Sequence, residues 1–133
     1  MGDDDGPMAV AGKRIVMSTA VLRILRLQCE RSSEDAGDEV SMRLDGVPVW
    51  PAVGERDYPP MTSGQDIGFA RDVLIHHADA VLTLHDLDDL SADDVLGSIR
   101  IPAGEAGTGE HTRDILGPES HYKLTYRVGK ITF

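Results

Sequence analysis

Residues 80 to 97 read Ala80-Val81-Leu82-Thr83-Leu84-His85-Asp86-Leu87-Asp88-Asp89-Leu90-Ser91-Ala92-Asp93-Asp94-Val95-Leu96-Gly97. The first five residues are a short apolar run containing β-branched side chains, the pattern of a strand. The run then meets five aspartates within nine residues. Like charges packed that densely at the end of an apolar strand repel one another. From Val95 to Ile101 the apolar character returns, and Pro102 ends it. The stretch is therefore strand, acidic loop, strand.

The flanking sequence repeats the strand pattern. Tyr122-Lys123-Leu124-Thr125-Tyr126-Arg127-Val128 alternates, with Tyr122, Leu124, Tyr126 and Val128 on one face. Val40-Ser41-Met42-Arg43-Leu44 alternates too and runs into Asp45-Gly46, a strong two-residue hairpin signal. Val47 to Trp50 is the return strand, and Pro48 places it at a sheet edge. Ile67, Phe69, Val73 and Ile75 mark one or two further strands. Residues 13 to 18 are ambiguous. Val16, Ala20, Ile24 and Leu27 fall at helical spacing, yet Leu22 and Ile24 share a face in an extended chain. The clear strands that follow favour a strand over about 20–29. Residues 30–38, 51–64 and 103–109 are rich in turn formers and read as loops. Seven or eight short strands and no long helix predict an all-β fold, an antiparallel β-sandwich.

With 133 residues the chain suits one domain, expected over 13–133, behind an acidic tail at 1–12. Its 23 acidic and 13 basic residues give a formal charge of -10. That balance argues against nucleic acid, and against an anionic membrane surface unless bound cations reverse the local charge. A single cysteine, Cys29, excludes an intrachain disulfide and a cysteine-rich zinc site; it ends an apolar run and reads as buried. The start Met1-Gly2-Asp3-Asp4-Asp5 is unlike a signal peptide, and the apolar stretch from Ile15 to Leu27 contains Arg23 and Arg26. The expectation is a protein that is not transmembrane and is cytoplasmic or exported without a leader.

A second acidic cluster, Glu30, Glu34, Asp35, Asp38 and Glu39, also follows an apolar strand. If a sandwich puts both acidic loops at one end, their carboxylates converge. A hard divalent cation would relieve the repulsion, and calcium, with its six to eight oxygens in irregular geometry, fits best. Other motifs fail. An EF-hand loop starting at Asp86 needs Gly and Glu where Ser91 and Gly97 stand. A strand followed by Asp86-Leu87-Asp88 is similar to haloacid-dehalogenase-type phosphatases, but those carry it on the first strand of a parallel α/β fold. His76, His77, Asp79 and His85 offer a zinc or general-base reading. Adjacent residues of a strand point to opposite faces, however, and no nucleophile accompanies them. Trp50, Tyr58 and Phe69 read as packing residues.

Leu84 to Gly97 resembles the calcium-binding loop of C2 domains. There an apolar strand leads into Asp-x-Asp, a third aspartate six residues on, two apolar residues and Gly. Those positions here are Asp86, Asp88, Asp94, Val95-Leu96 and Gly97. In that family an earlier loop supplies the remaining ligands just before a strand. The resemblance implies Asp38 there, with Asp35 or Glu34 as companion; Asp89 and Asp93 fall outside the ligand set, either behind the ligands or in solvent. Gly37-Asp38-Glu39-Val40 stands where the family has Ser-Asp-Pro-Tyr. The resemblance implies a C2-like sandwich of seven or eight strands that binds Ca2+ and is not an enzyme. It would dock to a protein partner or, through calcium, to phospholipid, with Leu87 and Leu90 available for insertion. The rival expectation is a non-catalytic structural subunit of a larger assembly with no metal requirement. A hydrolase built on His76, His77 and Asp86 comes third.

Overall fold

A computed structural model describes residues 20–51, 60–87 and 94–131. The expected tail at 1–12, the ambiguous segment at 13–18 and most of the 51–64 loop, including Tyr58, lie outside the described residues. So do Asp88, Asp89, Leu90 and Asp93. The eight described strands are β1 (Ala20–Arg31), β2 (Val40–Leu44), β3 (Val47–Trp50), β4 (Asp66–Ile75), β5 (Asp79–Asp86), β6 (Asp94–Pro102), β7 (Glu110–Leu116) and β8 (His121–Lys130). They form two four-stranded sheets, in the orders β4-β1-β8-β7 and β3-β2-β5-β6, and every pairing is antiparallel. The described residues form an all-β antiparallel sandwich.

Alternation builds the core. Val40, Met42 and Leu44 on β2, Leu82 and Leu84 on β5, and Tyr122, Leu124, Tyr126 and Val128 on β8 are all buried. Between them they line the two inner faces, and burying each large side chain contributes roughly 1.5–3 kcal/mol. On β1 the phase changes: Leu22 and Ile24 face inward, and then Leu27 and Cys29 do. A β-bulge accounts for it. Leu25 has no register partner on either neighbouring strand, and pairing resumes at Arg26. The Ile24-to-Leu27 spacing that looks helical in the sequence is this bulge.

Asp45 and Gly46 adopt φ of 50° and 82°, the left-handed pair of a tight hairpin turn. β3 is an edge strand, as Pro48 predicts. Residues 66–75 form one strand, and a short 3-10 turn, Ala103–Glu105, opens the 103–109 connection. At the open side, Trp50 on β3 meets Phe69 on β4 edge-on at 5.0 Å, and Arg71 donates to the Val49 carbonyl at 2.7 Å. Those contacts join the edge strands of the two sheets. No described helix is long and apolar enough to cross a membrane.

Candidate functional site

The two acidic loops meet at one end of the sandwich. β2 and β5 are neighbours, with Val40 in register with Asp86. Two hydrogen bonds continue the ladder past the strand ends: Leu87 N donates to Glu39 O at 2.8 Å, and Glu39 N to Asp86 Oδ1 at 2.9 Å. The segment after β1 thus lies directly against the segment after β5, as the sequence expectation requires.

Asp86 ends β5 on its inward face and is only 8% exposed. Its carboxyl is pushed up to about 6. Burial is the main cause, and the charges of Asp38 and Glu34 and a hydrogen bond to the Glu34 carboxyl add to it. The Glu39 N–H pulls the other way. Neighbouring carboxylates repel one another, and a cation among them would relieve that repulsion. Asp94 opens β6 and is the register partner of Asp86; it is exposed. Directly opposed residues of an antiparallel pair present their side chains on one face. Leu96 is the extra residue of a bulge between the Leu84–Gly97 and His85–Val95 pairs, and it packs into the core. Gly97, at φ 155°, lies so close to β7 that a Cβ would stand 2.8 Å from the Ile115 Cγ2 and the Leu116 carbonyl. The Val-Leu-Gly tail of the motif therefore anchors the acidic loop's return.

Asp38 is placed differently. It is fully buried, and both carboxylate oxygens are engaged. Oδ1 accepts the Ser33 hydroxyl at 2.5 Å, and Oδ2 accepts the Ser33 N–H at 2.8 Å and the Tyr122 hydroxyl at 2.5 Å. Its backbone exchanges two 2.9 Å hydrogen bonds with Met61, which ties in the chain leading to β4. Among the described residues, no Lys, Arg or His forms an ion pair with Asp38 or Asp86.

Asp35 is exposed and lines an open groove of about 590 Å³ with Arg31, Ser33, Thr62 and Glu119. The structure thus brings Glu34, Asp38 and Asp86 together, sets Asp94 across from Asp86 and turns Asp35 into the groove. Asp88 lies outside the described residues, and among those described no group of three or more His, Cys, Asp or Glu is drawn close enough to hold a metal. His76 and His77 occupy the turn between β4 and β5. Asp86 lies at the other end of the eight-residue strand β5, roughly 25 Å away at 3.2–3.4 Å per residue. They share no site with it.

The sequence reading missed Tyr122 and Ser33 as site residues. One signal was available: a buried tyrosine hydroxyl usually needs a partner, and Tyr122 begins its strand at the acidic end.

No family model matches the chain. No curated protein matches it. Solved structures do. One described as the structure of a C2 domain is 17% identical with a TM-score of 0.52, over 85% of this chain and 98% of that one. The first C2 domain of a plant extended synaptotagmin 1 is 9% identical at TM-score 0.51, over 90% of this chain and all of that one. A structure of two C2 domains of extended synaptotagmin 2 is 14% identical at TM-score 0.58. The match takes in 99% of this chain and 48% of that two-domain chain. Identities this low speak to architecture alone: the chain is a C2-like β-sandwich.

Proposed function

We propose that this C2-like sandwich is a calcium-binding docking module whose metal loop is the acidic end. The supporting observation is the pair of buried carboxyls Asp38 and Asp86 with the exposed Glu34 beside them, and no ion pair to Asp38 or Asp86 from a Lys, Arg or His among the described residues. Burying carboxylates without compensation costs several kcal/mol, on the order of the effective penalties seen for buried ions. The oxygen-only donor set suits a hard cation. Asp86 and Glu34 would hold it, with Asp94 from the adjacent strand and Asp88 from the loop between. Calcium, when bound, would supply the positive charge that offsets these carboxylates.

Docking is supported by what surrounds the acidic end. Val95, next to Asp94, and Leu116, at the end of β7, are large apolar residues exposed at this rim. An apolar rim beside a charged loop suits a partner surface, of protein or of lipid. The proposed role is one of binding and asks no catalytic step of these side chains.

The test is thermal melting with millimolar calcium or magnesium. A ligand bound only by the folded state at one hundred times its Kd adds about 2.7 kcal/mol. Calcium should therefore raise the melting temperature by several degrees and magnesium, which demands stricter octahedral geometry, much less. An unchanged curve in calcium removes the proposal and leaves the metal-free assembly subunit in its place. Vesicle sedimentation with and without calcium then separates lipid from protein docking.

A further inference from the structure

We propose that the Tyr122 hydroxyl is the positioning group of the acidic end. It holds Asp38, and through Asp38 the 33–38 segment, in the shape that brings Glu34 to Asp86, so the site is built before any cation arrives. The affinity part of this inference rests on the calcium reading; the positioning part does not.

Tyr122 lies on β8, one of the two central strands of its sheet, with its ring fully buried. Its hydroxyl reaches Asp38, 84 residues earlier in the chain. Asp38 is immobilised from three sides: by Tyr122, by the backbone and hydroxyl of Ser33, and by the paired backbone bonds to Met61. Within the loop so pinned, the Glu34 carbonyl accepts the Ser32 hydroxyl at 2.7 Å and the Gly37 N–H at 3.0 Å. The Glu34 main chain is therefore fixed by a turn whose two ends, Ser33 and Asp38, are bonded to each other. From there its carboxyl meets Asp86.

Asp38 acts from behind the site. It has no solvent-exposed surface, and both its oxygens are occupied, so it serves as the acceptor around which the loop is wound. Burial first, and the bond to Asp38 second, push the Tyr122 phenol far above its usual range, so it remains a donor at any ordinary pH. A phenylalanine at 122 would keep the ring packing and remove the hydroxyl, which donates to Asp38 and also meets the Cys29 thiol. Oδ2 would then be left with the Ser33 N–H alone. A buried carboxylate that loses a donor draws in water or moves toward it, and either change loosens the 33–38 turn.

Strand β8 supplies a matched control. Tyr126 is also buried, and its hydroxyl donates to Glu105 at 2.7 Å near the opposite end of the sandwich. The experiment measures amide exchange and calcium affinity, by calorimetry with calcium alone, for the full chain, Tyr122→Phe and Tyr126→Phe. In Tyr122→Phe, the amides of Ser33 and Glu39 should exchange at least about tenfold faster in the metal-free protein, while Leu124 in the core stays protected. The calcium Kd should rise about tenfold in the same variant, in line with a lost hydrogen bond to a charged group. Tyr126→Phe should change neither.

Unchanged Ser33 exchange in Tyr122→Phe overturns the inference. So does faster exchange with unchanged calcium affinity, because the turn would then be structural only. If Asp38 were instead a direct ligand, freeing its oxygen would leave affinity equal or higher, which also overturns it. A wild-type protein that binds no calcium sinks the proposed function, while the exchange comparison still decides the positioning claim. Should Tyr122→Phe fail to fold, Ser33→Ala removes a donor from the other side of Asp38, and the amides of Gly37 and Asp38 should then exchange faster.

Discussion

The two ends of this sandwich handle buried acid in opposite ways. At the end away from the acidic loops, Glu105 accepts the Tyr126 hydroxyl on Oε1, while Oε2 faces Arg113 at 3.8 Å and His111 at 3.9 Å. His111 stacks on the Tyr126 ring, its centroid 5.7 Å away. Thr108 donates to the Glu105 carbonyl at 2.5 Å, so the oxygen it turns to His111 Nε2, 2.6 Å away, must accept. A carboxylate there has a guanidinium beside it and is a structural staple. At the acidic end a tyrosine also donates to a carboxylate, but Asp38 receives only neutral donors, and its neighbours are Asp86 and Glu34. One end is electrostatically complete and the other is not. The incomplete end is where an external cation has work to do.

The largest effect expected from this contrast is on stability. Asp38→Ala removes an acceptor serving three donors, leaving the Ser33 N–H without its partner and the Tyr122 hydroxyl with only the Cys29 thiol. It should cost about 3 kcal/mol in urea denaturation, since bonds to charged groups are each worth roughly 1.5–3 kcal/mol and relief of repulsion with Asp86 offsets part of the loss. No loss of stability would mean that Asp38 is a burden to the fold and not its hub, and the contrast between the ends would need redrawing.

Next in size is a pH dependence at the acidic end. The folded pKa of Asp86, about 6, lies above the 3.8 of an ordinary aspartate. Protonation therefore favours the fold. This contribution is complete below pH 3.8 and disappears as pH rises through about 6, and it amounts to something on the order of 3 kcal/mol. Asp86→Asn should flatten that part of the profile and make the metal-free protein more stable at neutral pH. At the opposite end, burial and then the Glu105 bond push Tyr126 up to about 12, well outside this window. A wild-type stability profile that shows no difference from Asp86→Asn between about pH 4 and 7 would contradict the strained pair.

The smallest effect is expected where charge is already met. Glu105→Gln keeps an acceptor for Tyr126 and loses only partly exposed ion pairs, so it should cost about 1 kcal/mol or less. Calcium affinity should not change. A large loss of affinity in Glu105→Gln would mean that the two ends are coupled.

How much of this was legible in the sequence follows from which contacts are local. Alternation in Val40–Leu44 and Tyr122–Val128 marked the inward faces, and Asp45-Gly46 marked the hairpin, because both signals are short-range. β7 was not anticipated. Of the residues on its inward face, only Ile115 is apolar; His111 and Arg113 face the same way and are engaged by Glu105 and Tyr126. The bulge at Leu25 left helix and strand both open for β1 before the neighbouring strands favoured a strand, since one extra residue turns the spacing from Ile24 to the next inward residue, Leu27, into three. Convergence of the acidic loops was legible as a consequence of the sandwich. The burial of Asp38 was not, because it depends on Tyr122 arriving from the last strand.

The most direct test of the acidic end is a calorimetric calcium titration of the wild-type chain beside Asp88→Asn and Asp3→Asn. Wild type should release or absorb heat with a saturable isotherm. Asp88→Asn, which removes one anion from the loop, should weaken binding sharply, because ligand charge tunes such sites. Asp3→Asn, at the far N-terminus of the chain, should match wild type. A flat titration of wild type into the millimolar range, or equal affinities for all three proteins, would contradict a metal centre at Asp86, Asp88 and Asp94.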